Sequence, residues 1–309
     1  MSRLPHHSAH PFVTDGGLET DLIFHHGEDL PHFAAFPLVR TADGRRLLES
    51  YYEAYASTAA TARAGLLLET GTWRASTDWG ALLGWSAGDV AAVNVEAVEQ
   101  LRQLATRYLT HEGIQDVLVV GTIGPRRDGY APDLLLQPDE AATYHSAQLA
   151  ALAQGGADLA TGYTFTHVGE AVGLVWAARD VGLPVAVSFT VETDGRLPDG
   201  TTLADAVRAV DDAAAPDYFG VNCAHPRHID RALGAPADWH DRIVTLRPNA
   251  SLLSHAELDE AEGLDEGDPE TLVADVALIR DRLPQLNVLG GCCGTDSRHV
   301  DALWRHGSI

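Results

Sequence analysis

Three cysteines, the only ones among the 309 residues, are the side chains with the clearest capacity for chemistry in this sequence. Cys223 ends the apolar run YFGVNC, and Cys292 and Cys293 stand together in VLGGCCGT. Three thiolates form a soft ligand set that selects zinc and leaves a fourth position open, as in catalytic zinc sites. The sequence therefore predicts a zinc centre with Cys223, Cys292 and Cys293 as its ligands.

The cysteines could also serve in ways that need no open metal site. Reduced cysteines are often buried simply as small apolar side chains. A disulfide is disfavoured, because the adjacent Cys292 and Cys293 pair poorly and a cytoplasmic protein keeps its thiols reduced. Neighbouring glycines let backbone and ligand approach closely, which favours the metal site. A structural zinc protein or a thiol buffer is the non-enzymatic alternative.

The elements that would position these thiols follow from the spacing of apolar residues. Short β-branched runs predict eight strands, at residues 12–17, 66–70, 117–122, 157–163, 184–190, 218–223, 242–248 and 286–291. Apolar residues at three and four spacing predict a helix after each strand, near residues 45–64, 89–111, 138–155, 168–182, 201–214, 227–238, 268–283 and 296–306. This alternation favours a (β/α)8 TIM barrel, as a single domain over residues 1–309.

A barrel brings the candidate residues to one end of the molecule. The long connections follow strands and precede helices, so they gather at the C-terminal face, where barrel enzymes have their active sites. Cys223 ends strand six and the adjacent cysteines Cys292 and Cys293 end strand eight, and these strand ends are close across the barrel mouth. Asn222 and Asn249 lie at the ends of strands six and seven, where each either orients a ligand or satisfies loop backbone.

Composition limits the classes of function. With 21 basic and 44 acidic residues, the formal net charge is −23, so the chain repels phosphate backbones and anionic lipids, and no nucleic acid or membrane partner is expected. The sequence contains no Lys, which removes mechanisms that need a Lys Schiff base or a P-loop Lys. No apolar run reaches a membrane span and no signal peptide is seen, so a cytoplasmic protein is expected. Residues 1–11 are expected to form a flexible tail.

Several motifs in combination identify a family. The segments DGGLET, GTIGP, SFTVETDGRLPDG, GVNC and GGCCGT resemble the homocysteine S-methyltransferases over nearly the whole chain. The resemblance implies a zinc-dependent enzyme whose three cysteines hold the metal. It implies transfer of a methyl group from an activated donor, on sulfonium, quaternary nitrogen or a cobalt corrin, to a thiol, with homocysteine giving methionine. The expected partners are a small-molecule thiol acceptor and a small-molecule methyl donor, and the oligomeric state is left open.

The resemblance also implies substrate contacts. In the family, the turn formed here by Asp15, Gly16 and Gly17 faces the amino acid, with backbone amides toward its carboxylate and the Asp near its ammonium group. A turn that simply ends the first strand is the alternative, since Asp-Gly is common in turns. Tyr163, in ATGYTFTHV, stands where relatives carry a Glu that helps bind the ammonium group of homocysteine. One carboxylate is therefore missing.

A second departure from the family pattern follows the second strand. In GTWRAS, Trp73 or Arg74 stands where relatives place an aromatic and polar pattern with Tyr near the zinc. Trp73 offers a cation–π face to a sulfonium or ammonium donor, or it packs in the barrel mouth. The two departures keep a different thiol or selenol acceptor, and a corrinoid-linked methyltransferase subunit, as alternatives.

A hydrolase with a histidine metal site is the weakest interpretation. Four histidines are also expected on the C-terminal face: His167, His225, His228 and His255. The HxH pair expected in the first strand of barrel metal-dependent hydrolases is absent, because that strand is FVTDGG. Histidines in polar loops are usually surface groups.

Overall fold

Eight parallel strands pair in chain order, and the first pairs with the last, so the sheet closes into a barrel. The molecule is represented by a computed structural model that describes residues 4–129, 135–261 and 263–305. The strands are β1 (Phe12–Val13), β2 (Gly65–Glu69), β3 (Val117–Ile123), β4 (Leu159–Phe165), β5 (Val185–Phe189), β6 (Tyr218–Asn222), β7 (Ile243–Arg247) and β8 (Val288–Leu289). The predicted (β/α)8 TIM barrel is confirmed.

Helices surround the barrel as predicted. They are α1 (Leu18–Phe24), α2 (Ala42–Ala62), α3 (Thr77–Leu82), α4 (Ala87–Tyr108), α5 (Pro138–Gly155), α6 (Val168–Val181), α7 (Leu203–Ala214), α8 (Pro226–Leu233), α9 (His255–Asp259), α10 (Pro269–Arg280) and α11 (Ser297–Arg305). Side chains set several of the helix starts: the Thr202 and Asp268 oxygens accept backbone amides, and Ser86 forms a capping box with Asp89. Helices α1, α3 and α9 lie within stretches predicted only as connections.

The apolar core has two layers. One cluster takes residues from all eight strands and fills the barrel interior: Phe12, Leu67, Leu118, Val120, Leu159, Ala186, Tyr218, Val244 and Val288. A larger cluster packs the outer strand face against the helices and includes Leu66 and Leu68. This alternation along β2 is the period of two that a pleated strand imposes.

Strands β1 and β8 are shorter than predicted, because the backbone leaves the ladder to build the barrel mouth. After Val13 the chain turns through Asp15, Gly16 and Gly17 into α1, and after Leu289 it turns toward the cysteines. Two backbone hydrogen bonds join the departing segments: the Gly291 amide donates to the Asp15 carbonyl at 2.8 Å, and the Gly17 amide donates to the Thr295 carbonyl at 2.9 Å. Both turns therefore lie at the C-terminal end of the barrel.

The described part of the N-terminal segment covers the opposite end. Leu4 packs against the interior cluster, and Pro5–His7 form a 3-10 turn. The Asn287 side-chain amide donates to the carbonyls of Pro5, at 2.7 Å, and His10, at 3.2 Å. Residues 4–11 therefore make defined contacts, although the sequence suggested a tail. Within the described ranges, no helix combines the length and apolar character needed to cross a membrane.

Candidate metal centre and substrate pocket

Three sulfur atoms meet at the C-terminal end of the barrel. Cys223 follows β6, Cys292 and Cys293 follow β8, and the three sulfurs all lie within 4.8 Å of one another. The sulfurs of Cys223 and Cys293 are 3.9 Å apart. Tetrahedral ligands at the usual Zn–S distance of about 2.3 Å are roughly 3.8 Å from each other. The spacing and softness of this donor set fit a zinc ion.

Cys223 and Cys292 are joined by a disulfide, with their Cα atoms 5.4 Å apart. This differs from the reduced thiols expected from the sequence. The reason is that β6 and β8 converge so closely that the Cα separation falls in the range of disulfides. Metal ligation needs thiolates, so the disulfide and a three-thiolate metal site are alternative states of the same cysteines.

One further group of potential metal ligands occurs in the described part of the chain, formed by Asp21, His25 and Asp296. Its members are already paired. His25 bonds Asp21 at 2.9 Å, and Asp296 bonds Arg298 at 2.5 Å and His299 at 3.0 Å. This group is therefore explained by ion pairs, and the histidines of the hydrolase interpretation form no such group among the described residues.

A cavity of about 390 Å³ opens onto the cysteines. Its wall brings together most of the substrate contacts implied by the sequence: Asp15, Gly16, Gly17, Trp73, Tyr163 and Asn222. Asn249 does not line this cavity and lies instead in a packed region beside Cys223, with His225, His228 and His255. Its backbone amide donates to the Ala224 carbonyl at 3.1 Å, so Asn249 supports the loop after β6.

The glycines of the first turn are required by close packing. A Cβ atom on Gly17 would lie 2.6 Å from the Cys292 carbonyl oxygen, and one on Gly16 would lie 2.7 Å from the Thr295 carbonyl oxygen. The Gly17 amide donates to the Thr295 carbonyl at 2.9 Å. One of the amides that the resemblance directed at a substrate carboxylate is thus engaged within the protein.

Asn222 holds the strand ends together beside the metal ligands. Its amide oxygen accepts bonds from the Thr164 amide, at 3.0 Å, and the Ser188 hydroxyl, at 2.7 Å. Its amide nitrogen donates to the Thr164 hydroxyl, at 2.8 Å, and lies 3.9 Å from the Cys292 sulfur. Asn222 therefore links β4, β5 and β6 through hydrogen bonds, and its amide nitrogen also contacts the Cys292 sulfur.

Trp73 is stacked against a cation that belongs to the protein. The Arg74 guanidinium lies 4.3 Å from the centre of the Trp73 ring and 3.6 Å from that of Trp79. The Trp73 indole donates to the Tyr163 carbonyl at 3.2 Å. One face of the Trp73 ring, which was predicted to bind a cationic methyl donor, is therefore covered by Arg74.

Two charged residues that the sequence reasoning missed stand at the base of the cavity. Arg247 ends β7 and Glu69 ends β2, and both are buried. The guanidinium of Arg247 forms ion pairs with Glu69 and, at 2.5 Å, with Asp15. The Tyr163 hydroxyl donates to Glu69 at 2.6 Å. Burial raises the pKa of Tyr163 well above its ordinary value, so this hydroxyl stays a donor.

A further carboxylate, Glu19, lines the cavity at the start of α1. No salt bridge to it is found among the described residues, although Arg247 and Arg74 are near enough to stabilise its charged form. Burial raises the pKa of Glu19 to about 7. Glu19 is therefore a carboxylate at the cavity wall that no described residue contacts as a counter-ion.

Folding stability is expected to fall as the pH rises from about 4.5 to 7, because of Glu19. Burial raises the pKa of Glu19 from 4.5 to about 7. In this window the folded state keeps a proton that the unfolded chain has lost, so one group contributes a slope of at most about 1.4 kcal/mol per pH unit. Urea unfolding of the reduced, metal-free protein at several pH values measures this slope. Glu19→Gln should reduce it, and an unchanged profile would contradict the assignment.

Known proteins resemble this chain in sequence and in fold. A family model described as homocysteine S-methyltransferase matches residues 12–306. Homocysteine S-methyltransferase 3 of Arabidopsis thaliana is 25% identical over 163 residues, which cover 52% of this chain and 46% of that protein. Methionine synthase of Mycobacterium tuberculosis is 33% identical over 128 residues, which cover 38% of this chain and 10% of that protein. The matches thus span less than half the length of these two relatives.

A solved structure shares the whole barrel. The homocysteine methyltransferase MmuM of Escherichia coli, in its metallated form, has a TM-score of 0.73 and 22% identity, with 97% of each chain covered. Its oxidised form has a TM-score of 0.75, with 22% identity and 96% of each chain covered. At this identity the likeness shows a common fold. The family model extends from β1 to α11, and the chain therefore belongs to the homocysteine S-methyltransferase family.

Proposed function

We propose that the chain is a zinc-dependent S-methyltransferase, which moves a methyl group from an activated donor to a thiol. The convergence of Cys223, Cys292 and Cys293 on one cavity, in a member of this family, is the observation that supports it best. Relatives are named as homocysteine methyltransferases, so homocysteine, giving methionine, is the reference acceptor. A cytoplasmic location, where thiols stay reduced, is part of the proposal.

The three cysteines would hold the metal in their thiolate form. A bound zinc ion would keep an acceptor thiol deprotonated at neutral pH and fix the direction of its sulfur. Three thiolates and one Zn²⁺ carry a net charge of −1, which keeps the acceptor sulfur electron-rich. The chain then needs no separate general base, and no candidate base is assigned at the cavity.

The cavity supplies alignment and a dry environment. Methyl transfer is an in-line displacement, which gains most from holding the two reactants in register and from excluding water. Apolar side chains contribute to the wall on the side of α1 and the following loop: Leu18, Ile23, Phe24 and Phe33. An onium donor brings a positive charge into this cavity, and Glu19 is the wall carboxylate placed to balance it.

Glu19→Gln is expected to raise the KM for a sulfonium or quaternary ammonium donor about tenfold, because a charge-assisted contact becomes a neutral one. Steady-state kinetics at saturating thiol measure the change. The matched control is Asp259→Asn, which alters an exposed carboxylate at the same cavity and should change KM less than twofold. Equal effects of the two substitutions would show that Glu19 acts only through the overall charge.

The proposed reaction is tested on reduced, zinc-loaded protein. Each of S-methylmethionine, S-adenosylmethionine, betaine and methylcob(III)alamin is supplied with homocysteine and with simple alkyl thiols, and methylated thiol is measured. We expect zinc-dependent product from at least one donor. Product from methylcob(III)alamin alone, with copurification of a corrinoid protein, would favour the corrinoid-linked alternative. No product with any combination, together with zinc that no thiol perturbs, would favour a structural zinc protein.

A further inference from the structure

We infer that Arg74 binds the carboxylate of a substrate that also carries a positive charge, for which Glu19 is the partner. This inference rests on the proposed function and names a residue that selects the substrates of the same cavity. Arg74 belongs to GTWRAS, where the chain departs from the family pattern, so membership of the family does not assign it a role. Its place on the cavity wall and its unused hydrogen-bond donors are the basis.

Arg74 is a buried cation at the wall of the cavity that holds the cysteines. Its side chain is only 5% exposed, and it lines the cavity together with Glu19. Burial lowers the pKa of Arg74, and the charges of Asp128 and Glu19 oppose this effect. The guanidinium group stays protonated at physiological pH. Because a buried charge is stabilised by an anion in contact with it, this part of the wall favours an anionic group of a ligand.

The protein itself makes little use of the five N–H donors of this guanidinium group. Among the described residues, Nη1 donates to the Arg127 carbonyl and Nη2 to the Asp128 carboxylate, each over the long distance of 3.4 Å. Asp128 is about half exposed, so its ion pair with Arg74 is screened by solvent. The buried Nε atom has no hydrogen-bond partner in the same part of the chain. Buried donors are nearly always paired in proteins, so these donors indicate a ligand.

Two tryptophans hold the guanidinium group in a defined position. Its central carbon lies within stacking distance of the rings of Trp73 and Trp79, and the hydrogen bond of Trp73 to the Tyr163 carbonyl fixes the first of these rings. Stacking engages the face of a guanidinium group, whereas its N–H donors lie in its plane. A carboxylate accepts two parallel N–H bonds from such a planar group. Arg74 is therefore preorganised to bind a carboxylate.

Glu19 supplies the opposite charge in the same cavity. Glu19 and Arg74 each stabilise the charged form of the other, but no salt bridge joins them within the described ranges. A ligand that enters this cavity therefore meets one anion and one cation. A substrate with only a positive charge would leave Arg74 without an anion. An onium amino acid and an amino-acid thiol both carry the two charges, so the test has one arm for the donor and one for the acceptor.

The test measures binding by isothermal titration calorimetry on reduced, zinc-loaded protein, with one ligand at a time so that no methyl transfer occurs. The acceptor pair is homocysteine and 3-aminopropanethiol, compared at equal thiolate concentration. The donor pair is S-methylmethionine and (3-aminopropyl)dimethylsulfonium. The second member of each pair lacks only the carboxylate. In at least one pair, the carboxylate-bearing member is expected to bind at least about tenfold more tightly. The net charge of −23 attracts the other member more strongly, so overall charge does not produce this preference.

Arg74→Gln tests the cause and should reduce that preference to less than about threefold. Arg74→Lys keeps the charge but not the planar fork, so it should give an intermediate preference. The matched control is Arg126→Gln. Arg126 also stacks on an aromatic ring, that of Tyr144, and pairs with a carboxylate, that of Asp78, but it is not among the residues that line the cavity. This control should keep the wild-type preference, and circular dichroism checks the fold of each variant.

The outcomes separate this inference from the proposed function. Loss of the preference in Arg74→Gln supports the inference, and the pair in which it is lost shows whether the donor or the acceptor brings the carboxylate. A preference below threefold in both pairs of the wild type, or a folded Arg74→Gln protein with the wild-type preference, overturns the inference and leaves the methyltransferase in place. If Arg74→Gln does not fold, a wild-type preference in Arg74→Lys overturns the inference. If neither thiol binds the zinc-loaded protein, the proposed function is overturned, and the inference with it.

Discussion

Replacing Arg247 with Met is expected to lower the free energy of unfolding by about 3–5 kcal/mol, the usual cost of breaking a buried ion pair from one side. The substitution leaves the carboxyl groups of Asp15 and Glu69 buried without their shared counter-ion, while Met roughly fills the volume. Urea unfolding of the reduced, metal-free protein at neutral pH measures the loss. The size of the effect follows from the burial of all three side chains.

A matched control separates this cost from the loss of an arginine as such. Arg242 precedes the same strand, is partly exposed, and bonds Asp211 at 2.8 Å. Arg242→Met should cost less than about 1 kcal/mol, because pairs near solvent contribute little. Equal losses for the two variants would contradict the account of the buried cluster. Adding Asp15→Asn and Glu69→Gln to Arg247→Met should restore part of the stability, since no buried charge is then left alone.

Cys292→Ser is expected to weaken zinc binding by more than about 100-fold and to remove methyl transfer. Replacing a residue that only hydrogen-bonds to a metal ligand typically weakens metal affinity by about 10–100-fold. Replacing the ligand itself should weaken it further. Serine has a side chain of similar size, but its hydroxyl group stays protonated at neutral pH and so does not replace the thiolate ligand. Zinc competition with a chromophoric chelator measures affinity, and circular dichroism checks that the barrel remains folded.

The control for this substitution is His25→Ala. It disrupts the only other group of potential metal ligands in the described ranges, Asp21, His25 and Asp296, and should leave zinc affinity within about twofold of the wild type. A loss of zinc in His25→Ala, with zinc retained in Cys292→Ser, would place the metal outside the cysteine site. The comparison therefore tests the location of the metal as well as its affinity.

The barrel could be predicted because the spacing of apolar residues indicates an alternation of strands and helices. The predicted strand at residues 117–122 is observed as β3 (Val117–Ile123), and the helix predicted at 138–155 has the bounds observed for α5. Strand ends were less predictable where tertiary contacts bend the backbone. Thr164 has a φ of +63° within β4, and the pairing register of β4 with β5 shifts between Gly162 and Phe165. No local sequence pattern signals this irregularity.

The site was predictable only where residue type alone suggests chemistry. The cysteines follow from their chemistry and from the ends of two strands, whereas Arg247 and Glu69 occur in IVTLRPN and GLLLET as charges that end apolar strands. Their pairing depends on Asp15, which is 232 residues from Arg247 in the chain, so only the closed barrel brings them together. A charge at the end of a mainly apolar strand was the available signal. Asn249, also near a strand end, does not line the cavity that holds the cysteines.

Zinc X-ray absorption spectroscopy on the reduced, zinc-loaded protein tests the central claim most directly. The account predicts one zinc per chain with three sulfur neighbours at about 2.3 Å and one lighter neighbour, and four sulfurs after a small alkyl thiol is added. The same spectrum of Cys292→Ser should lose this three-sulfur shell. A wild-type spectrum with fewer than three sulfurs, or one that no thiol changes, would contradict a three-cysteine zinc centre that activates a thiol.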